Sequence, residues 1–303
     1  MSILIATSTK LHYLDNDRKL HSLVPYSFVY GITWDKNQLY LGLRRHPYIS
    51  EQSIGVFDDQ FEFVKRLPTK DLDDIHQIIY HDEKIYITNT RHERVDIVDK
   101  DYNQSQLIYT GKPQKGLHLN SVWINDDKIY LVEHRRSAGS RVRILYGYDP
   151  ATTIRTTRTI DIGKGVHGVY EEDNFLYVCS SERNKILRYD LDTKKTEIVV
   201  NFAEFIKGHC RGICRTKDKW YIGMSMTGPK ASRHQLKGSA VFVLDNNFEI
   251  LEHIKLKKTY GQLNELRIVD ETDYAHNQIP FPYDIEKFIY DRDHILDDQN
   301  ELE

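Results

Sequence analysis

The chain has 303 residues, 40% hydrophobic and 29% charged, with a formal net charge of -3. That length allows one large domain or two ordinary ones, and the near balance of charge removes any global electrostatic reason to bind nucleic acid or a membrane. The N-terminal MSILIATSTKLHYLD has no basic stretch leading into an apolar segment, and no apolar run reaches the roughly 18 residues of a membrane span, so a cytoplasmic protein is expected. Cys179, Cys210 and Cys214 are too few and too irregular for a disulfide framework and are expected as buried free thiols.

Short strands dominate from the start of the chain. The segments ILIATS, KLHYLD and KLHSLV are followed by a template that recurs at Tyr30 (YGITWDKNQLYLG), His76 (HQIIYHDEKIYIT), Asn120 (NSVWINDDKIYLV), His167 (HGVYEEDNFLYVC) and Arg211 (RGICRTKDKWYIG). A weaker copy, NELRIVDETDY, begins at Asn264. Ten places after each start comes a tyrosine, at 40, 86, 130, 177, 221 and 274, a period of 44 to 53 residues that suits propeller blades or helical repeats. Short β-branched and aromatic runs between Asp, Asn and Lys turns decide for β blades.

Each of the five strong copies supplies four strands. The N-terminal segments lack a first strand and NELRIVD lacks followers, so together they make a sixth blade that closes the ring through the two chain ends. The expected fold is all-β: a six-bladed β-propeller of four-stranded blades over residues 1–274, then an extension, 275–303, partly packed and acidic at its end, with a short helix near 284–290.

Up-and-down connectivity places the starts of the first strands on one face, together with the loops between second and third strands. Those loops carry LRRHP, NTRHER, EHRRSAGSR, SERNK and GPKASRHQLKG, rich in Arg and His, whereas the turns of the opposite face are acidic. A basic mouth would concentrate anionic ligands. The template starts Tyr30, His76, Asn120, His167, Arg211 and Asn264 converge there, and strand alternation adds His118, His209 and Gln262 two places earlier.

Two chemistries compete. His76, His118, His167 and His209, with Gln262, could hold a divalent metal (Mn, Fe or Zn), Glu133 being the nearest carboxylate. Alternatively His76 and His167 act as acid and base beside Arg211 and Tyr30, while Asn120, Asn264 and the arginines Arg44, Arg91 and Arg135 bind an anion. Either fits a lyase or hydrolase for a small anionic substrate; a propeller that binds an anionic ligand or a protein partner on this face without catalysis is the other class. No nucleophile elbow, phosphate loop or dinucleotide fingerprint is present, so no nucleotide cofactor is expected.

The unit HGVYEEDNFLYVCSSERNKILRYD, from His167 to Asp190, resembles repeats of the NHL, SMP-30/gluconolactonase and streptogramin-lyase-like propellers. That resemblance implies a propeller and a site at the channel mouth. Calcium-dependent lactonases of this kind use Glu, Asn and Asp there; Asn120 or Asn264 matches the Asn, but no Glu or Asp holds an equivalent strand start. The histidines with Gln262 are chemically closer to oligogalacturonate lyase, in which histidines and a glutamine hold manganese, and this resemblance points to an acidic sugar.

Overall fold

The computed structural model describes residues 2–24, 29–44, 52–107, 116–125, 128–134, 139–147, 156–226 and 238–289. Six four-stranded antiparallel sheets form a six-bladed propeller. Blade 1 is β4 (Val29–Trp34), β5 (Leu39–Leu43), β6 (Ser53–Phe57) and β7 (Phe63–Arg66); blade 2 is β8 (Ile75–His81), β9 (Lys84–Asn89), β10 (Arg94–Asp99) and β11 (Gln104–Leu107). Blade 3 is β12 (Leu119–Asn125), β13 (Lys128–Glu133), β14 (Arg141–Tyr146) and β15 (Thr156–Asp161). Blade 4 is β16 (Val166–Glu172), β17 (Phe175–Ser180), β18 (Lys185–Asp190) and β19 (Thr196–Asn201). Blade 5 is β20 (Gly208–Arg215), β21 (Trp220–Met226), β22 (Ser239–Leu244) and β23 (Ile250–Leu256).

The sixth blade joins the chain ends. Its inner strand β24 (Leu263–Ile268) pairs antiparallel with β1 (Ile3–Thr7), which is followed by β2 (Leu11–Leu14) and β3 (Leu20–Val24). The tyrosines at 40, 86, 130, 177 and 221 are all buried, as the repeat predicts. Tyr274 is 44% exposed and is not their counterpart. In the sixth blade the second strand comes from the N-terminus, where Leu4, opposite Arg267, takes the corresponding place.

Every inner strand breaks register at its start. The shifts lie between Val29 and Gly31, Ile75 and Ile78, Leu119 and Ser121, His167 and Val169, Cys210 and Ile213, and, read from β1, between Ala6 and Thr7 opposite Asn264. A β-bulge bends the strand and re-aims the side chains at it. The unpaired residue is the template residue in blades 1, 3 and 6, the template residue with its successor in blades 2 and 5, and Gly168, just after His167, in blade 4. In blades 4 and 5 the residue after the template residue is Gly168 or Gly212, with φ of 71° and 77°, left-handed values that favour glycine.

The acidic turns are built for folding. Asp15, Asp35, Asp58, Asp99, Asp190 and Asp245 each accept hydrogen bonds from backbone N–H groups within their own hairpin. Such local bonds are what makes Asp a turn residue. The acidic far face therefore follows from hairpin construction.

Beyond β24 the chain crosses the far end of the channel. Tyr274 N–H donates to Arg215 O, Asn277 Nδ2 to Ile124 O, Trp123 Nε1 to Tyr274 O and Trp34 Nε1 to Ile279 O. Gln278 is buried; its Oε1 accepts from Thr33 Oγ1 at 2.7 Å and its Nε2 donates to Trp34 O at 2.8 Å. Phe281, Ile285 and Ile289 then pack with Trp34 and Phe61 in one apolar cluster, the last two on a helical turn over 285–289. Among the described residues no helix is long and apolar enough to cross a membrane.

Candidate functional site: the histidine-lined channel mouth

The open end of the channel holds a cavity of about 530 Å³ lined by Tyr30, Arg44, Asp74, His76, His118, His134, Gly165, His167, Ser181, Glu182, His209, Arg211 and Gln262. Beneath it a space of about 20 Å³ is lined by the template residues Tyr30, His76, Asn120, His167, Arg211 and Asn264, with Glu265. The structure thus brings together nearly all the residues that the repeat singled out.

Aromatic rings form a chain around the wall. Tyr30 meets His76 edge to face at 5.8 Å between centroids; His76 meets His118 at 5.1 Å, His118 meets His134 at 5.1 Å, and His134 meets His167 at 5.4 Å. The Arg44 guanidinium lies over the Tyr30 ring at 4.0 Å and pairs with the Asp74 carboxylate.

His76 and His167 have matching supports. His76 Nδ1 is 2.9 Å from Asp74 O and 2.7 Å from Thr90 Oγ1; His167 Nδ1 is 2.9 Å from Gly165 O and 2.7 Å from Ser181 Oγ. Asp74 and Gly165 both have left-handed backbone, with φ of 59° and 63°. Burial pushes both imidazoles well below their usual pKa. Arg44, His118, His167 and Arg211 add to this at His76; at His167 Arg211 and His134 do so, opposed by the bond to Gly165. Both rings are neutral at pH 7.

His118 reaches the cavity by a different route from the alternation expected. It precedes β12 with a left-handed φ of 51°, and its carbonyl accepts from His134 N–H at 3.1 Å. His209 and Gln262 also line the mouth. Asn120 and Asn264 sit lower and serve the ring itself, donating from Nδ2 to Val166 O at 3.4 Å and to Val29 O at 3.0 Å on neighbouring blades.

Several expected residues are placed elsewhere. Arg91 points to solvent, 70% exposed at its side chain, and pairs with Asp73 at 3.3 Å outside the cavity lining. Glu133 is wholly buried within its sheet, where it pairs with Arg143 at 2.9 Å and Arg141 at 3.7 Å, which removes it as a mouth carboxylate. Arg135 lies outside the described residues. Among the described lining residues Arg44 pairs with Asp74, Glu182 lies 3.3 Å from Lys164 Nζ, and Arg211 adds a further cation, so charges of both signs are present. A uniformly basic mouth is therefore not what these residues form.

The metal donors expected from the sequence, His76, His118, His167, His209 and Gln262, all line the mouth cavity. Among the described residues, the His, Cys and carboxylate donor atoms that lie within 4.8 Å of one another as a group of three are those of Cys214, Asp273 and His276, at the far end of the channel. The mouth set of His76, His118, His167 and His209 does not close to that spacing. The far group is already hydrogen-bonded: His276 Nδ1 to Asp273 Oδ2 at 2.7 Å, and Cys214 Sγ to Leu266 O at 3.1 Å. All three cysteines are buried and free, as expected, and burial pushes their thiols upward, which makes them inert.

His134, Thr90 and Ser181 escaped the sequence reading. They share one signal: His134 stands 14 residues after Asn120, Thr90 14 after His76, and Ser181 14 after His167. That position follows the second strand of each blade and comes back beside the template residue.

No protein-family model matches the sequence, and no curated protein matches it. Solved structures do match in fold. One chain of a nidogen/laminin complex aligns with a TM-score of 0.64 at 13% identity, covering 88% of this chain and 97% of the other. A protein of unknown function from Bacteroides caccae gives 0.62 at 12% identity, with the same coverages of 88% and 97%. A luciferin-regenerating enzyme gives 0.56 at 13% identity over 79% of each chain. At such identities the likeness establishes the six-bladed propeller and leaves chemistry to the site.

Proposed function

We propose that this propeller binds a small anionic, sugar-acid-like molecule in the mouth cavity and acts on it as a lyase or hydrolase. The observation that carries the reading is the placement of His76 and His167 in one cavity with Arg211, where burial pushes both imidazoles toward the neutral form. A neutral imidazole is ready to accept a proton. In the lyase form, Arg211 bonds the substrate carboxylate, which acidifies the adjacent C–H. One imidazole takes that proton, and the resulting imidazolium gives it to the departing alkoxide as a C–O bond breaks and a C=C bond forms. Burial disfavours the imidazolium, which makes it a willing donor. Tyr30, held against His76 and Arg44, supplies a further hydroxyl.

These proton transfers run between side chains and substrate; His76, His118, His167 and His209 with Gln262, all in the cavity lining, are the residues that would hold a divalent metal and let it polarise the substrate carboxylate. The finer resemblance to NHL and SMP-30-like propellers supports a mouth site without naming the reaction, and three buried thiols suit a cytoplasmic setting. Non-catalytic binding of an anionic ligand or a protein partner is the second reading. It is supported by the fold likeness to one chain of a nidogen/laminin complex.

A panel of uronates, aldonates and their glycosides separates the readings. Thermal shift identifies ligands, and absorbance from a new conjugated double bond or release of reducing ends identifies turnover. His76→Ala and His167→Ala should stay folded and lose turnover by at least about a hundredfold, the scale of general acid–base catalysis. Ligands that bind without any product establish the binding reading instead.

A further inference from the structure

His76 and His167 belong to a duplicated device. Thr90 Oγ1 donates to Leu119 O at 2.5 Å and Ser181 Oγ donates to Cys210 O at 2.5 Å, each hydroxyl 29 residues before the carbonyl that takes its proton. Leu119 follows His118, and Cys210 follows His209, so each hydroxyl ties one mouth histidine to the strand start of the next. Blades 2 and 3 and blades 4 and 5 carry the same construction.

Proton accounting fixes the ring. A hydroxyl has a single proton, and here it is committed to a backbone carbonyl. The second neighbour of each Nδ1, Asp74 O or Gly165 O, can only accept. Both neighbours being acceptors, Nδ1 must carry the hydrogen, and a neutral ring then leaves Nε2 with a bare lone pair. A lone pair repels an anionic oxygen and accepts from a hydroxyl or an amine.

We propose that Thr90 and Ser181 are positioning residues that hold His76 and His167 as Nδ1–H tautomers, so that the cavity presents two hydrogen-bond acceptors to its ligand. The ligand class follows, resting on the proposed anionic substrate: a polyhydroxylated acid whose hydroxyls donate to the two Nε2 atoms while its anionic group bonds Arg211. An anion without donors, such as sulfate, satisfies only the arginine.

Long-range proton–nitrogen correlation spectra of the full chain labelled with ¹⁵N-histidine test this directly at pH 7. Both rings should show the Nδ1–H pattern without ligand. Thr90→Val should mix the tautomers at His76 alone, and Ser181→Ala those at His167 alone, with Thr90→Ser and Ser181→Thr restoring the single pattern; a purely packing role would not move this signature. An Nε2–H or imidazolium pattern in the unsubstituted protein overturns the proposal, as does a Thr90→Val spectrum unchanged from it. Gluconate should then shift both Nε2 resonances and bind at least about tenfold more weakly to Thr90→Val, whereas sulfate should bind both proteins alike. If the tautomers are as stated and gluconate shifts neither ring, the polyhydroxy-acid ligand and the anionic-substrate reading fail while the positioning role stands.

Discussion

His12 shows how a histidine buried in its neutral form makes stability depend on pH. Its side chain is buried, Nε2 has no hydrogen-bond partner, and burial with the nearby Lys10 pushes its pKa down to about 4. In the unfolded chain the same ring takes up a proton near 6.5. Above that value both states are neutral and nothing is lost. As pH falls from 6.5 to about 4 only the unfolded chain gains the proton, so stability drops by about 3 kcal/mol. Urea midpoints between pH 7 and 4 should show this fall, and His12→Gln should flatten it. His76 and His167 act in the same direction, and their charge surroundings can be tested separately. Arg44→Gln removes a cation beside His76 and leaves the Asp74 carboxylate, so the NMR titration of His76 should move upward toward 6.5, with His167 little affected. The repeat made His76, His167, Arg211 and Tyr30 legible because a template start is a fixed place on a blade. Thr90, Ser181 and His134 were not legible, since their bearing on the site appears only when a returning strand is laid beside its neighbour. The charges of Arg91 and Glu133 were visible but their partners were not, and pairing, not charge, decides whether a side chain is available to a ligand.

At the level of the strand, β24 carries a fully buried charge. Arg267 is wholly buried, with Nη1 2.8 Å from Glu265 Oε1 and from Leu266 O, Nη2 3.3 Å from Ile78 O, and Nε without a partner. Removing a buried charge strands its counterpart, so Arg267→Ala should destabilise by about 3–5 kcal/mol. Arg267→Met combined with Glu265→Gln should recover a substantial part, read as the urea midpoint. The strands themselves could be read from alternation and turn residues, and all the expected ones are present. The bulges could not, although YG, HG and RG at three template starts carry the trace: glycine follows where the neighbouring blade packs too close for a side chain. A Cβ at Gly31 would stand 2.9 Å from Ile78 N, and one at Gly212 would stand 3.2 Å from Leu266 Cγ. Gln77 and Ser121 occupy the same place in blades 2 and 3 and use it to accept from Val122 N–H and Gly168 N–H across the blade boundary, at 2.8 and 2.9 Å.

For the whole molecule, closure of the ring depends on β1 lying between β24 and β2, so the two ends of the chain share one sheet. Deleting residues 1–7 should abolish cooperative unfolding, since it exposes the edges of β24 and β2 and opens the ring. Ending the chain after residue 270 should leave the six sheets but uncover Trp34 and Trp123 at the far end; tryptophan emission should shift to the red, and the urea midpoint should fall. That the extension would pack on the ring was legible from Phe281, Tyr283 and Phe288. Its crossing of the channel end was not, because no local pattern marks a segment that caps the ends of distant strands. This crossing ties the strand ends of blades 1, 3 and 5 together at one end of the channel, so any molecule that occupies the mouth cavity would enter and leave by the opposite end.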